Sequence, residues 1–405
     1  MPKNKKRAKP VLIFLFFALF LVSNIDFSQL SAFNDGFYTS YEEINEANES
    51  KKFGSFIKLS MKDNQLSTGL DKNQSGDVIF KLFGFIPIKK VTVKILPEEE
   101  VYAGGEAIGL AVNTDGAMVV SDTVVDIQSR NILKNKYLKN GDIIQKINGQ
   151  PIQSVSDIDK VLSQNVSDNI DVELIRDNKQ KTINVGLLKD SENQYKLGVW
   201  AKNDLSGIGT LTFVRKSDFS FGALGHPVSN GQQNSVVPIT GGNIFDCSLI
   251  GINKGQRNKP GELRGVFVQR NEQGTIKKNT NCGVFGKIDE DSNLFDSNRS
   301  LKIGGRLGIH TGKAKIISSV SGILEEYDIE IIKANYQAKS SDKSLVIRVK
   351  DERLLNLTGG IVQGMSGSPI VQDGKLVGAV THVFLNDPTK GYGIYSDWML
   401  EQLDF

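Results

Sequence analysis

From Lys196 to its end the chain is a succession of short Val/Ile-rich runs broken by glycine: IGTLTFV, SVVPIT, CSLIGI, RGVFVQ, KAKIISSV, YDIEIIKA, SLVIRV, GGIVQ, SPIVQ and KLVGAVTHVF. Runs this short do not complete a stable helix, and their β-branched side chains suit a pleated surface. Recurring at regular intervals between glycine turns, they predict sheets that close as a sandwich or as a pair of barrels. Only Ser396 to Leu403 has the pattern of a short closing helix. The balance of 40 glycines to 10 prolines agrees with tight turns between strands.

The 405 residues leave room for two or three domains. A net charge of +3, with basic residues dispersed and not interleaved with aromatics, argues against a nucleic-acid partner. The two cysteines, Cys247 and Cys282, supply neither a disulfide framework nor a metal-ligand spacing, although they could form one bridge. No nucleotide-binding glycine fingerprint or internal repeat is present, so neither a cofactor nor a metal is expected.

Ahead of the strand-rich part the chain changes character several times. Lys3, Lys5, Lys6, Arg7 and Lys9 precede the apolar run Val11 to Val22. A basic start before an apolar stretch is a secretory signal, and the absence of a clean small-residue cleavage site favours an uncleaved signal anchor over residues 1–33. Residues 34–76 are rich in Asn, Glu, Lys and Ser and read as a polar tether open to proteolysis, with a short helix around Tyr41 to Ser50. Residues 77–104 hold the alternating VTVKI strand. Residues 105–190 then form a small domain, and residues 191–405 carry the strand-rich remainder.

The small domain contains Gly141-Asp142-Ile143-Ile144, Ile147-Asn148-Gly149, a serine-capped segment with Ile158, Val161 and Leu162 at helical spacing, and Val172-Glu173-Leu174-Ile175-Arg176. That concatenation, with Gly109-Leu110 before it, resembles a PDZ domain of the bacterial peptidase-associated kind. The resemblance implies binding of an extended peptide as an added strand, its carboxylate held by backbone N–H groups of the Gly109-Leu110 loop.

In the strand-rich part, TGGIVQGMSGSPIV, Thr358 to Val371, surrounds a serine with glycines between two apolar runs. Glycine lets the backbone turn sharply and leaves N–H groups free to converge. A serine peptidase needs such an arrangement: an exposed hydroxyl at Ser366 and amide donors for a tetrahedral oxyanion. The chain has three histidines. His226, in the strand-end turn ALGHPV, is the leading general base, well upstream of the serine. His382 lies on an apolar strand and suits a pocket wall, and His310 has no companion feature. Asp351 leads among the acids, although it also suits a helix N-cap for ERLLNL. Asp246, Asp328 and Asp373 are weaker alternatives.

GMSGSP with the preceding TGGIVQ, ALGHPV, and a PDZ domain behind a signal anchor closely resemble the stage IV sporulation protein B peptidase family, the PDZ-containing signalling serine peptidases of endospore formers. The resemblance runs from about Asp77 to the end. It implies a mainly β fold, with a signal anchor, a PDZ domain and a chymotrypsin-like double β-barrel. It implies a triad of His226, Asp351 and Ser366 in the chymotrypsin-like order, with an oxyanion hole from the N–H groups of Gly364 and Ser366. His382 falls where that class builds its primary specificity pocket. It further implies export across the forespore membrane into the intermembrane space, anchored until cleaved. There the enzyme would cut its own N-terminal region and then a regulatory membrane protein that holds back a membrane-embedded protease, leading to late sigma-factor activation. The contrasting reading is a catalytically silent, membrane-tethered PDZ adaptor that captures C-terminal tails. A heat-shock protease-chaperone places its peptidase before its PDZ domains, whereas this sequence reads PDZ first.

Overall fold

A computed structural model describes residues 33, 35–63, 75–96, 100–125, 132–164, 167–229, 236–335, 337 and 339–403. The expected signal anchor lies outside the described residues apart from Phe33, and among the described residues no helix is long and apolar enough to cross a membrane.

The described residues of the segment expected to be a polar tether, 35–63 and 75–76, are folded. Helix α1 (Tyr41–Glu49) starts at Ser40, whose hydroxyl accepts the Glu43 N–H at 3.2 Å. It packs on a four-stranded sheet ordered Tyr38–Thr39, Ile86–Ile95, Ser75–Leu82, Ile57–Asp63. Alternate residues of the strands, Ile57, Leu59, Val78, Phe80, Val91 and Val93, point to one buried face. Phe33, Phe53 and Phe80 close that core with ring centroids 5.3–5.8 Å apart. The polar composition belongs to the outer faces, which hid this core from a reading of averages. The unit docks on the strand-rich part: Lys52 Nζ donates to Leu307 O at 2.6 Å, the Glu43 carboxylate accepts the Gly305 N–H, and Leu307 joins the aromatic core.

The expected double β-barrel is present. In the first ring Ala107–Ser121 pairs with Trp200–Arg215, which continues through Ser220–Ala223, Gly283–Ile288, Glu262–Thr280 and Ile239–Asn253 back to Ala107–Ser121. In the second, Gly312–Ser318 is followed by Glu325–Ala334, Leu345–Val349, Lys390–Tyr395, Lys375–Val383 and Pro369–Gln372, which closes on the first strand. Val, Ile and Leu fill the interiors, with Leu211, Val214, Ile244 and Val284 in one and Ile316, Ile329, Ile347 and Ile394 in the other. Helix α4 (Ser396–Leu400) follows the last strand, as its pattern predicts.

The PDZ-like unit does not precede the barrels in the structure; it is inserted into the first one. Ala107–Ser121 is a single fifteen-residue strand. Its first half sits between two barrel strands, and its second half pairs with Ile143–Ile147 of the PDZ-like sheet. The chain returns to the barrel along Trp200–Arg215. A small domain that begins near residue 105 therefore shares its opening strand with the barrel, and one regular strand shows no break where it changes sheets.

Within the insert the motif residues find one another. Asp142 is buried and pairs with Arg176 through two hydrogen bonds, Nε to Oδ1 at 2.7 Å and Nη2 to Oδ2 at 2.6 Å. Asn148 and Gly149 both have positive φ, 48° and 75°, and turn Ile143–Ile147 back on Gln150–Pro151. Helix α2 (Val155–Ser163) opens with a capping box between Ser154 and Asp157 and buries Ile158, Val161 and Leu162.

Candidate active site

A cleft of about 900 Å³ lies between the two barrels, lined by His226 and Leu224 from the first and by Gly364, Ser366, Thr381 and His382 from the second. The serine loop is shaped by its glycines. Gly364 and Gly367 have φ of +97° and +101°, where side chains with a Cβ are strained. A Cβ on Gly367 would also lie 2.0 Å from Thr210 O, so the loop is pressed against the first barrel as closely as glycine allows.

Thr210 fastens that contact. Its N–H donates to Ser366 O at 2.9 Å and its hydroxyl to Gly364 O at 2.8 Å, while the Thr212 hydroxyl donates to Gly367 O at 2.8 Å. With those carbonyls held, the loop's N–H groups divide. Met365 N–H donates to Val362 O, Gly367 N–H to Val380 O and Ser368 N–H to Met365 O. Among the described residues the N–H groups of Gly364 and Ser366 meet no acceptor. They are the two N–H groups that the family resemblance names as oxyanion donors.

Ser366 Oγ donates to Thr381 O at 2.7 Å and makes no hydrogen bond to His226. His226 is presented by a tight turn in which Leu224 and Gly225 both have positive φ. Its Nδ1 lies 2.9 Å from Pro227 O, which takes a proton on Nδ1 and leaves Nε2 as the lone-pair nitrogen. Burial pulls the His226 pKa below its ordinary value, against the opposing effects of the Pro227 carbonyl and the Asp342 charge. His382 stands beside it, ring centroids 4.9 Å apart. Burial and the neighbouring His226 push the His382 pKa down to about 4, with Asp342 opposing.

The structure does not bring Asp351 to this pair. Its carboxylate caps helix α3 (Glu352–Thr358), accepting the Arg353 N–H at 2.9 Å, and also binds the Arg353 guanidinium at 2.9 Å and the Asp328 N–H at 3.3 Å. Arg353 holds its pKa below the usual carboxylate range. It does not line the cleft, and neither do Asp246, Asp328 or Asp373. The carboxylate facing the histidines is Asp342, with Oδ2 3.7 Å from His382 Nδ1. Asp342 also offers its carbonyl to the hydroxyl of Thr381, the residue whose own carbonyl holds Ser366. Sequence reasoning passed over it because the loop SSDKS looks like an ordinary polar turn.

Gly109 and Leu110 are not a carboxylate-binding loop. They lie mid-strand, paired on one side with Ile208 and Gly207 and on the other with Phe245 and Ile244. Their N–H groups are committed to ladders, the Phe267 ring covers Gly109, and the Leu110 side chain lines the cleft between the barrels. His310 sits at the surface, its Nε2 2.8 Å from Asp373 Oδ2. Cys247 and Cys282 are separate buried thiols, and burial raises each pKa to about 11.

The family profile of SpoIVB peptidase S55 matches residues 193–400, just over half of the 405 residues. The chain belongs to the SpoIVB peptidase S55 family. It is thereby a serine peptidase, a hydrolase acting on peptide or protein substrates. A PDZ domain profile matches residues 107–187. Among solved structures, the PDZ domain of the SdrC-like protein from Listeria monocytogenes is similar at 21% identity over 22% of this chain and 87% of that one, with a TM-score of 0.17. The Rv3671c protease from M. tuberculosis in its active form is similar at 10% identity over 49% of this chain and 75% of that one, with a TM-score of 0.27. No curated protein matches the chain.

Proposed function

We propose that this S55 family member is a chymotrypsin-like serine endopeptidase with Ser366 as nucleophile and His226 as general base. The observation that carries the reading is the serine loop, where two N–H groups that meet no acceptor among the described residues lie beside a hydroxyl in the same cleft as a neutral, tautomer-fixed imidazole. For the reaction, the Ser366 side chain leaves Thr381 O and turns to His226 Nε2. Oγ attacks the scissile carbonyl while Nε2 takes its proton. The developing oxyanion accepts from Gly364 N–H and Ser366 N–H, an interaction worth ~10²–10³ in kcat per donor in related chemistry. Nε2 then protonates the leaving amine, and water hydrolyses the acyl-enzyme by the same route. Pro227 O orients the imidazole. The acid that supports its protonated form is Asp342, acting across His382.

Family membership supports the remaining steps of the proposal. The chain is exported across the forespore membrane, anchored by residues 1–33 in the intermembrane space, and cuts itself in its N-terminal region. It then cuts a regulatory membrane protein, and late sigma-factor activation follows. A silent PDZ adaptor is the competing reading, favoured by the hydrogen bond that turns Ser366 away from His226. A time course of intact mass and N-terminal sequence for the wild type beside Ser366→Ala separates them. Shortening of the wild type alone supports the peptidase. Two intact chains, together with no turnover of a short peptide substrate, support the adaptor. Equal shortening of both removes self-cleavage.

A further inference from the structure

The segment that leads from the PDZ unit back to the barrel does not cross open space. Trp200, Ala201 and Lys202 pair antiparallel with Ser121, Val119 and Met118, on the edge of that strand opposite Ile143–Ile147. The same segment packs against helix α2. Its side chains alternate: Tyr195, Leu197, Val199 and Ala201 turn into the PDZ core, whereas Lys196, Trp200 and Lys202 face out, Trp200 being 65% exposed. Polar contacts fix the register. Asn135 Nδ2 donates to Leu197 O at 2.7 Å, the Val155 N–H at the start of α2 donates to Asn203 Oδ1 at 2.6 Å, and Lys196 lies 3.7 Å from Asp159 on α2.

A PDZ domain takes a peptide by adding it as a strand to a sheet edge, reading alternate side chains in pockets. Residues 200–202 have that pairing, and Tyr195 to Ala201 have that placement beside α2 and that alternation, although Tyr195 and Lys196 pair with Lys189 and Leu188 and the chain bends at Gly198. We propose that the peptide groove of the PDZ unit is filled in cis by residues 195–202, so that an outside peptide binds only by displacing this strand. The chain runs on where a bound C-terminus would end, and Gly109-Leu110 is locked in the barrel, so the groove suits an internal extended segment and not a carboxylate tail. The displaced strand is continuous with Ser206 to Ile208, which line the cleft, and with Thr210, which holds the serine loop. Whatever opens the groove therefore takes hold of the N-terminal half of a strand whose C-terminal half fastens the nucleophile.

The test uses the full chain carrying Ser366→Ala, so its outcome does not depend on catalysis. The probe is a fluorescent peptide of residues 194–204, QYKLGVWAKND, read by anisotropy. A tethered occupant has an effective concentration in the mM range and weakens a free copy of itself by ~10-fold or more. The peptide should therefore bind at least ~10-fold more tightly once Leu197→Asp and Val199→Asp weaken the resident strand. Equal binding to both chains overturns the proposal, and so does absence of binding to a Leu197→Asp/Val199→Asp chain that keeps the parent circular dichroism and melting curve. Amide exchange in the unaltered chain gives a second reading that needs no variant. Residues 200–202 should exchange as slowly as neighbouring barrel strands, and exchange at loop rates overturns the cis strand.

Discussion

Replacing Asp351 by asparagine separates a helix cap from a catalytic carboxylate. Its Oδ1 accepts the Arg353 N–H at 2.9 Å at the start of α3, and its other contacts are to the Arg353 side chain and the Asp328 N–H. Asparagine caps a helix about as well as aspartate, whereas alanine costs about 1 kcal/mol within a range of ~0.5–2. The Arg353 guanidinium is at the surface, where an ion pair contributes little. Asp351→Asn should therefore melt close to the parent, and kcat/KM on a short fluorogenic peptide should change by less than about tenfold, since no contact to His226, His382 or Ser366 is lost. Asp351→Ala should melt lower and lose activity in proportion, because α3 leads directly into the Gly359–Gly364 approach to the serine. An amide in place of a triad acid costs ~10⁴ in kcat. A loss of that size in Asp351→Asn with unchanged melting would refute the cap reading. Asp342→Asn is the companion variant, and the structure expects the larger loss there.

Other outcomes follow from the same geometry. His226 has its pKa lowered from 6.5 and His382 is pushed down to about 4. The neutral base thus persists below pH 6.5, and the acid limb of a kcat/KM profile should fall below that value. Because both folded-state values are depressed, stability should also decline as pH falls from 6.5 towards 4, which urea midpoints measured across that range would show. Gly367→Ala places a Cβ against Thr210 O at a positive φ, so turnover should collapse while the PDZ unit keeps its far-UV signature. Arg176→Met strands the buried Asp142 carboxylate and should cost ~3–5 kcal/mol of stability, read as a lowered denaturation midpoint. Lys52 is half-buried, and desolvation lowers its pKa to about 8 from 10.5. Stability should therefore rise as pH increases from about 8 towards 10.5, and Lys52→Met should flatten that slope.

What the sequence disclosed were features whose partners lie close along the chain or whose backbone demands are local. The serine loop is legible because positive φ at two positions calls for glycine, and the PDZ core because Ile158, Val161 and Leu162 repeat at helical spacing. The Asp142–Arg176 pair was visible as two motif elements but not as a contact. Three things were not legible. The N-terminal sheet buries Phe33 and Phe53 against Phe80 across a polar stretch, so averaged composition reads as a tether. The strand Ala107–Ser121 changes sheets without a change in period, so the insertion looks like a succession of domains. Asp351 satisfies a capping pattern and an acid pattern equally, and only the direction of α3 decides between them. Asp342 gave no signal, since nothing in a serine-flanked turn distinguishes a carboxylate facing a histidine from one facing water.

The insertion has a consequence for how the molecule comes into being. During synthesis the first barrel's opening strand emerges and must wait for its partner, Trp200–Arg215, until the whole PDZ unit has been made. At ~5–20 residues per second this interval lasts several seconds. The PDZ unit contains its own core and can form in that time. Once formed, it holds the two ends of the interruption side by side, with residues 118–121 already paired to 200–202. The closure entropy of an ~80-residue loop is then met before the barrel begins to assemble. The insert is thus a clasp for the nascent peptidase, and excising it, even with a flexible bridge in its place, should slow refolding of the barrel before it affects the finished cleft.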